Sequence, residues 1–314
     1  MLDASFDHVE RQRWAERRQA LEQGPFCATP DGLVPWWRKR LSSRFVDLCG
    51  WLVRPTPIYL FGRRNALRLQ LTEMELAFRH LPAAFDGYRI LHLSDSHLDR
   101  LPELAPIARR LLSGLEVDLL ALTGDVQGEH RAPITLATTL LADILDGIKV
   151  RDRRLAVLGN HDPVAMVETL ERQGFEVLLN RSMALERDGE RLVVTGLDDV
   201  HSFYTEAARA ALDDGVRHGD TFRIALVHSA EMADHAARAG YALYLSGHSH
   251  GGQICLPGGR PLVTHLARCR IGARGLWRWA DMIGYTTTGL GVSGPPLRFN
   301  CPGEAAVITL RRRP

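Results

Sequence analysis

Seven side chains of metal-binding type stand in five short polar groups. Asp95 and His97 lie in Asp95-Ser96-His97, Asp125 follows Gly124, and Asn160 lies in Gly159-Asn160-His161-Asp162. His228 stands alone, and His248 and His250 lie in Gly247-His248-Ser249-His250. Carboxylates suit hard divalent ions and imidazole suits Mn, Fe, Zn, Co and Ni, so this mixed set fits transition metals better than a pure Mg or Ca site. The two oxygens of Asp125 can bridge a pair of ions, and Asn160 can offer an amide oxygen without adding charge. Asp95 with His97, and His248 with His250, are each two residues apart, which puts both members on one face of an extended segment. A single pair of this kind is weak evidence, because Asp and His near strand ends often satisfy a turn or cap a helix. Five groups in order point to a site for two divalent metal ions.

The elements that must position them are legible. Each group follows a short apolar run: Ile90-Leu91-His92-Leu93, Leu119 to Leu122, Leu155 to Leu158, Ile224 to Val227, and Tyr241 to Leu245. Such runs read as strands covered on both faces. Placed side by side and parallel, they deliver all five groups to one sheet edge, where open α/β sheets put their ligands. Between them the pattern predicts helices over Leu104 to Leu115, Ile134 to Leu145, Val164 to Gln173 and Ala230 to Ala239. Pro102 and Pro133 suit first-turn positions, and Gly174 and Gly240 suit helix stops. Beyond His250, residues 251–259 and 285–289 read as short strands and turns, and Ala305 to Leu310 as a closing strand. Helical character is also predicted from Arg11 to Gln23, ahead of the breakers Gly24, Pro25, Pro30 and Gly32.

The chain has 314 residues, 45% hydrophobic and 24% charged, enough for a large core without disulfide or structural-metal support. Five cysteines, odd in number and without a CxxC pair, argue for a reducing compartment. Met1 to Glu10 lacks a basic n-region, and there is no run of about 18 apolar residues, so neither a secretory signal nor a spanning helix is expected. A net charge of +2 gives no footprint for nucleic acid. Residues 1–80 hold 13 Lys+Arg against 9 Asp+Glu, and the remainder 26 against 28. The basic excess is therefore outside the catalytic segment, concentrated at Arg38, Lys39, Arg40 and Arg44.

The order DxH, GD, GNHD, H, GHxH resembles the calcineurin-like metallophosphoesterase superfamily over about residues 88–312. The resemblance implies an α/β fold, a four-layer αββα sandwich of two mixed β-sheets. It implies two divalent ions (Mn, Fe or Zn), one held by Asp95, His97, Asp125 and His250, the other by Asp125, Asn160, His228 and His248. Asp125 bridges, with a hydroxide expected between the ions to attack phosphorus in line. His161 then has no metal to bind, and the matching family histidine stands beside the phosphate and assists the leaving oxygen. Asp162 is expected to hold the His161 tautomer or to cap a helix.

Residues 1–66 read as an N-terminal helical extension and 67–314 as the metallophosphoesterase domain. Within the extension, 33–53 is a basic amphipathic segment: Trp37, Leu41, Phe45, Leu48 and Leu52 share one helical face, and Arg38, Lys39, Ser42 and Ser43 the other. Such a helix can lie in a bilayer interface or pack on protein. The strings Ser246 to Gln253 and Pro296-Leu297-Arg298-Phe299-Asn300-Cys301-Pro302 are similar to a bacterial envelope-associated branch, some of whose members are UDP-2,3-diacylglucosamine pyrophosphatases. The main line of those enzymes carries Arg where this chain has His161, so the chain departs from that subgroup. The resulting expectation is a phosphodiesterase or pyrophosphatase acting on a lipid-linked substrate such as UDP-2,3-diacylglucosamine or a phospholipid, cytoplasmic and peripheral on the inner membrane face. The alternatives are a soluble nuclease or cyclic-nucleotide phosphodiesterase, and a scaffold that has lost the chemistry. Asp198, Asp199 and His201 are expected mainly in a turn, His92 in the core or behind the site, and Cys301 in packing. Any of Arg268, Arg270, Arg274 and Arg298 could meet a phosphate.

Overall fold

The computed structural model describes residues 8–128, 132–215 and 221–313. The side chains of Lys39, Arg40, Ser42, Ser43, Arg44 and Phe45, on which part of the amphipathic expectation rests, lie outside the described residues. The chain opens with helix α1 (His8–Gln23), a hairpin of β1 (Phe26–Thr29) and β2 (Gly32–Pro35), and helices α2 (Trp36–Val53) and α3 (Pro57–Ala66). Helix α3 falls within the 1–66 helical extension, although the sequence reading singled out no separate helix there. Pro57, which reads as a terminator, instead occupies its first turn, where its missing N–H costs nothing.

Strands β3 (Leu69–Phe78), β4 (Arg89–Leu93), β5 (Glu116–Leu122), β6 (Lys149–Ala156) and β7 (Glu176–Val177) form one sheet with β14 (Gly303–Arg312). Their order is β3-β14-β4-β5-β6-β7. A second sheet contains β8 (Arg181–Arg187), β9 (Glu190–Gly196), β10 (Phe222–Leu226), β11 (Leu243–Ser246), β12 (Gly275–Trp279) and β13 (Met282–Thr286), ordered β12-β13-β11-β10-β9-β8. Both are mixed. β14 runs antiparallel to β4 while β4, β5, β6 and β7 are parallel, and β8 and β12 run antiparallel to the parallel set β9, β10, β11 and β13.

Side-chain alternation explains why these strands read as unbroken apolar runs. Ile90, Leu119 and Ala121 point into the core between the sheets, where Ile224, Leu226, Leu243 and Leu245 meet them from the other side. Their neighbours Leu91, Leu93, Leu120 and Leu122 face the outer layer formed by α4 (Leu104–Leu112), α5 (Thr135–Leu145) and α6 (Met166–Arg172). Ala225, Val227 and Tyr244 face α7 (Glu206–Gly215) and α8 (Ala233–Arg238) on the opposite outside. Each strand thus buries both faces, and the four layers are helix, sheet, sheet, helix. The helix predicted over Ala230 to Ala239 is a 3₁₀ turn, Ala230–Met232, running into α8.

Candidate metal centre

The five polar groups do not share a sheet as the side-by-side reading has it. Three follow the ends of β4, β5 and β6 in the first sheet, and two follow β10 and β11 in the second. The site is therefore on the seam between the sheets. Asp95, His97 and His250 form one buried group, and Asp125, His228 and His248 form another. Asp125 Oδ2 is 3.2 Å from His228 Nε2 and 3.7 Å from His97 Nε2, so one carboxylate reaches both groups. Asn160 Oδ1 is 3.2 Å from His228 Nε2. All seven residues singled out from the sequence are thereby brought together.

The backbone achieves this differently from the extended geometry expected of the DxH and HxH pairs. Asp95, His97, Asp125, His248 and His250 all have positive φ, between 38° and 66°. Asp and His tolerate the left-handed region better than most residues, and such strain gathers at functional sites. Close packing of the loops adds a glycine requirement. A Cβ on Gly159 would overlap Asp125 Oδ1, and one on Gly247 would overlap Asp95 Oδ2.

Ring orientation decides what the centre can hold. His97 Nδ1 is 2.8 Å from the Gln127 carbonyl oxygen, and His228 Nδ1 is 2.7 Å from that of Thr123. A carbonyl only accepts, so both Nδ1 atoms carry hydrogen, and each ring when neutral turns an Nε2 lone pair inward. There His97 Nε2 meets His250 Nε2 at 3.1 Å. His228 Nε2 meets Asp125 Oδ2, Asn160 Oδ1 and, at 3.3 Å, His248 Nδ1. Acceptors packed against acceptors repel unless positive charge lies among them, so this donor set fits metal cations. The electrostatics agree. Burial pushes His97 down to about 3 and holds His248 and His250 well below the usual imidazole range. Burial lifts Asp95 to about 6. Burial opposes ionisation of Asp125, yet the neighbouring histidines, His228 foremost, keep its carboxyl well below the usual range. Burial opposes charge on His228, yet Asp125, Asp95 and Asp199 together raise it well above the usual imidazole range, so in the metal-free centre His228 carries the positive charge that a bound cation would replace.

Asn160 and His161 are partly open while the two groups are buried, so the centre meets solvent on the Gly159-Asn160-His161-Asp162 side. The His161 ring stands edge-on to His97, centroids 5.1 Å apart, and its backbone N–H donates to Asp125 Oδ1 at 2.8 Å. Asp162 differs from both expected roles. Its carboxylate accepts the N–H groups of Asp125 at 2.7 Å, Val126 at 2.9 Å and Gly159 at 2.9 Å, and so ties the loop after β5 to the loop after β6.

Other expectations resolve individually. Asp199 takes the turn role, accepting from His201 and Ser202 N–H. His201 lies nearer the centre than its turn suggests: its ring is 4.0 Å from that of His248, and Nδ1 is 3.0 Å from the buried Glu231 carboxylate. His92 is a core residue, paired with Thr123 Oγ1 at 2.8 Å and pushed down to about 3 by burial. Arg298 is wholly buried and donates to the carbonyls of Thr288, Gly289, Gly291 and Cys301. It holds the 288–291 loop, whose Leu290 and Gly291 N–H groups bind the Ser94 and Asp95 carbonyls. It is a brace behind Asp95 rather than a phosphate ligand. Arg268 is engaged with Asp234, and Arg274 with the Gly259 carbonyl.

Arg18 was not singled out by the sequence reading. Buried at the middle of α1, it donates to the carbonyls of Gly159 at 2.9 Å and Asp162 at 2.8 Å and pairs with Asp198. The docking face of α1 is Arg11, Trp14, Arg18 and Glu22, spaced as one helical stripe but mostly polar, so hydrophobic periodicity gives no sign of it. The only local cue is the Arg18–Glu22 pair at i,i+4.

Two mixed sheets with carboxylate, amide and imidazole ligands converging on their shared seam define a hydrolase that works with two metal ions. The family profile for calcineurin-like phosphoesterases matches residues 88–252. The chain is 30% identical to an uncharacterized metallophosphoesterase, YkuE, of Bacillus subtilis (strain 168), over 77% of this chain and 86% of that one. It is 31% identical to a second such Bacillus protein, YkoQ, over 79% and 93%. It is 28% identical to phosphodiesterase YaeI of Escherichia coli (strain K12), over 77% and 88%. The chain belongs to the calcineurin-like phosphoesterases, metal-dependent enzymes that use two divalent ions, and its two buried groups supply a place for each.

Proposed function

We propose that the chain hydrolyses a phosphodiester or pyrophosphate bond of a lipid-linked substrate at a membrane surface. Asp95, His97, Asp125 and His250 hold one ion, and Asp125, Asn160, His228 and His248 the other. The observation that carries the chemical part is Asp125 reaching both buried groups through one carboxylate. Two divalent ions held by these residues would supply Lewis-acid activation of water and charge stabilisation for an in-line displacement at phosphorus. The protein's own contribution is positional. Asp162 and the Gln127 and Thr123 carbonyls fix the ligand loops and rings, and His161, at the open side, supplies a proton to the departing oxygen.

Exposed apolar surface supports the lipid part. On α2, Trp37, Leu41, Leu48, Trp51 and Leu52 are all more than half exposed, and α3 adds Ile58, Leu60 and Phe61. Arg38 lies on α2, Arg54 just past its end, and Arg63 and Arg64 on α3, a basic complement to anionic headgroups. No helix among the described residues is long and apolar enough to cross a membrane, so contact through these helices is peripheral. Within the 1–66 extension, α2 and α3 accordingly serve as the membrane-directed part, while α1 packs on the 67–314 domain.

Two measurements test this. A panel with added Mn²⁺, Zn²⁺ or Mg²⁺ should give faster turnover of UDP-diacylglucosamine or a phospholipid than of an aryl phosphomonoester or a cyclic nucleotide. Turnover confined to cyclic nucleotides or nucleic acid would replace the lipid reading with the soluble one. The second uses Trp37→Glu/Trp51→Glu, a variant that alters only exposed positions. Basic residues near an anionic surface contribute on the order of 1 kcal/mol each, screened by salt. Wild type should bind phosphatidylglycerol vesicles and release them as salt rises, while the double variant should not bind yet should cleave a small aryl phosphodiester normally. Undiminished turnover of vesicle-embedded substrate by the variant would remove α2 from the argument.

A further inference from the structure

The Gly159-Asn160-His161-Asp162 loop is held from two sides. From the sheet side, the Asp162 carboxylate accepts Gly159 N–H and Asp125 Oδ1 accepts His161 N–H. From the other, one guanidinium takes both flanking carbonyls, Gly159 O just before Asn160 and Asp162 O just after His161. That guanidinium belongs to α1, outside the segment that the family profile matches. We propose that Arg18 is a positioning residue of the active site, fixing from the N-terminal helix the backbone that presents Asn160 and His161. This rests on the roles assigned to those two residues above.

The surroundings of Arg18 leave it little freedom. Its Nε donates to Glu22 at 3.2 Å, Nη1 pairs with Asp198, and its plane stands 3.6 Å over the Phe203 ring. Asp198 is held in turn by Trp14 Nε1 at 2.7 Å. A helix that needed only an anchor would do as well with an apolar side chain, since burying an ion is costly unless every donor is matched. Here four of the five N–H donors have partners, and two of them go to the carbonyls that bracket Asn160 and His161. Lysine could keep the charge against Asp198 but lacks the planar fork that spans two carbonyls and a carboxylate together. Arg11 gives an internal contrast. It anchors the same helix through a bidentate pair with Glu171 and touches no part of the loop.

The test compares Arg18→Ala, Arg18→Lys and Arg11→Ala on bis-p-nitrophenyl phosphate with Mn²⁺, with hydrogen exchange of the 159–162 amides measured on the metal-free proteins. Displacing reacting groups by about 1 Å costs on the order of 10²-fold in rate, so both Arg18 variants should lose kcat on that scale while KM stays within about threefold. Exchange at 159–162 should speed by about 10-fold or more. Millimolar guanidinium should restore part of the Arg18→Ala activity, and Arg11→Ala should match wild type in every measure. Wild-type kcat in Arg18→Lys, or an equal loss in Arg11→Ala, would reduce Arg18 to a helix anchor and overturn the proposal. If Arg18→Ala fails to fold, Arg18→Lys decides alone. If wild type itself leaves the diester intact, the phosphodiesterase reading fails separately, and unchanged 159–162 exchange in Arg18→Lys is then what overturns the role of Arg18.

Discussion

An Asp125→Asn protein is expected to fold, to carry neither ion at full occupancy and to show no turnover above background. The substitution keeps one oxygen for His161 N–H and replaces the other with an amide facing the inward lone pairs of His228 and His97. Without the carboxylate His228 loses the charge that raises it, so the neutral ring accepts from the amide, and the metal-free form exchanges a charge pair for a hydrogen bond with its melting temperature little changed. Cation affinity behaves oppositely, because the one charge common to both groups is gone. Removing mere outer partners of metal ligands costs 10–100-fold in affinity, and a shared ligand should exceed about 10²-fold. Elemental analysis and a melting curve with and without Mn²⁺ would check this together. Two ions per chain in an active Asp125→Asn protein would end the bridging assignment.

His161→Ala should separate binding from chemistry. The side chain contributes no atom to either buried group, and the backbone N–H that steadies Asp125 survives the change. Metal content should therefore equal that of wild type while turnover drops by about 10²–10⁴-fold, the usual size of a lost general acid. The loss should grow with the pKa of the leaving group, lying near the lower end of that range, about 10²-fold, for p-nitrophenol and near the upper end for an alkoxide. A uniform loss across leaving groups would show that His161 acts by holding the phosphate rather than by giving up a proton.

How much of this could be read in advance depended on whether a residue's partner is nearby in sequence. The strands under Asp95, Asp125 and Asn160 are bordered by helices on one face and the second sheet on the other, so their apolar runs are continuous and their ends plain. The ligands themselves are legible because Asp and His are out of place directly after such runs. What was hidden involves distance or backbone conformation. Arg18 is a charged residue in a polar stretch and Arg298 stands between Leu297 and Phe299, and in either place a charged side chain by itself reads as exposed. Apart from Glu22, the hydrogen-bonding partners of Arg18 lie 141 to 180 residues away. The left-handed turns at Asp95, His97, His248 and His250 were equally out of reach, because the spacing two apart suits an extended strand just as well. The division of the five groups between two sheets needed the pairing of β8 with β9 and of β12 with β13, whose sequences carry weak alternation.

The place of β14 has a consequence for how the enzyme is made. This strand pairs along ten residues of β3 and with β4 on its other edge, so it separates two strands that are neighbours in sequence. On the ribosome β4 emerges early and β14 after every residue of the site. Until then the hydrogen-bonding edge of β4, whose end leads into Asp95, has no neighbour on that side and is a template for mispairing. A nascent chain can therefore contain all seven ligands and still lack the sheet that aims the first of them. The stretch around Ala306 and Ile308, which pairs with β4, is therefore expected to be a sensitive place for mutations that slow folding rather than chemistry.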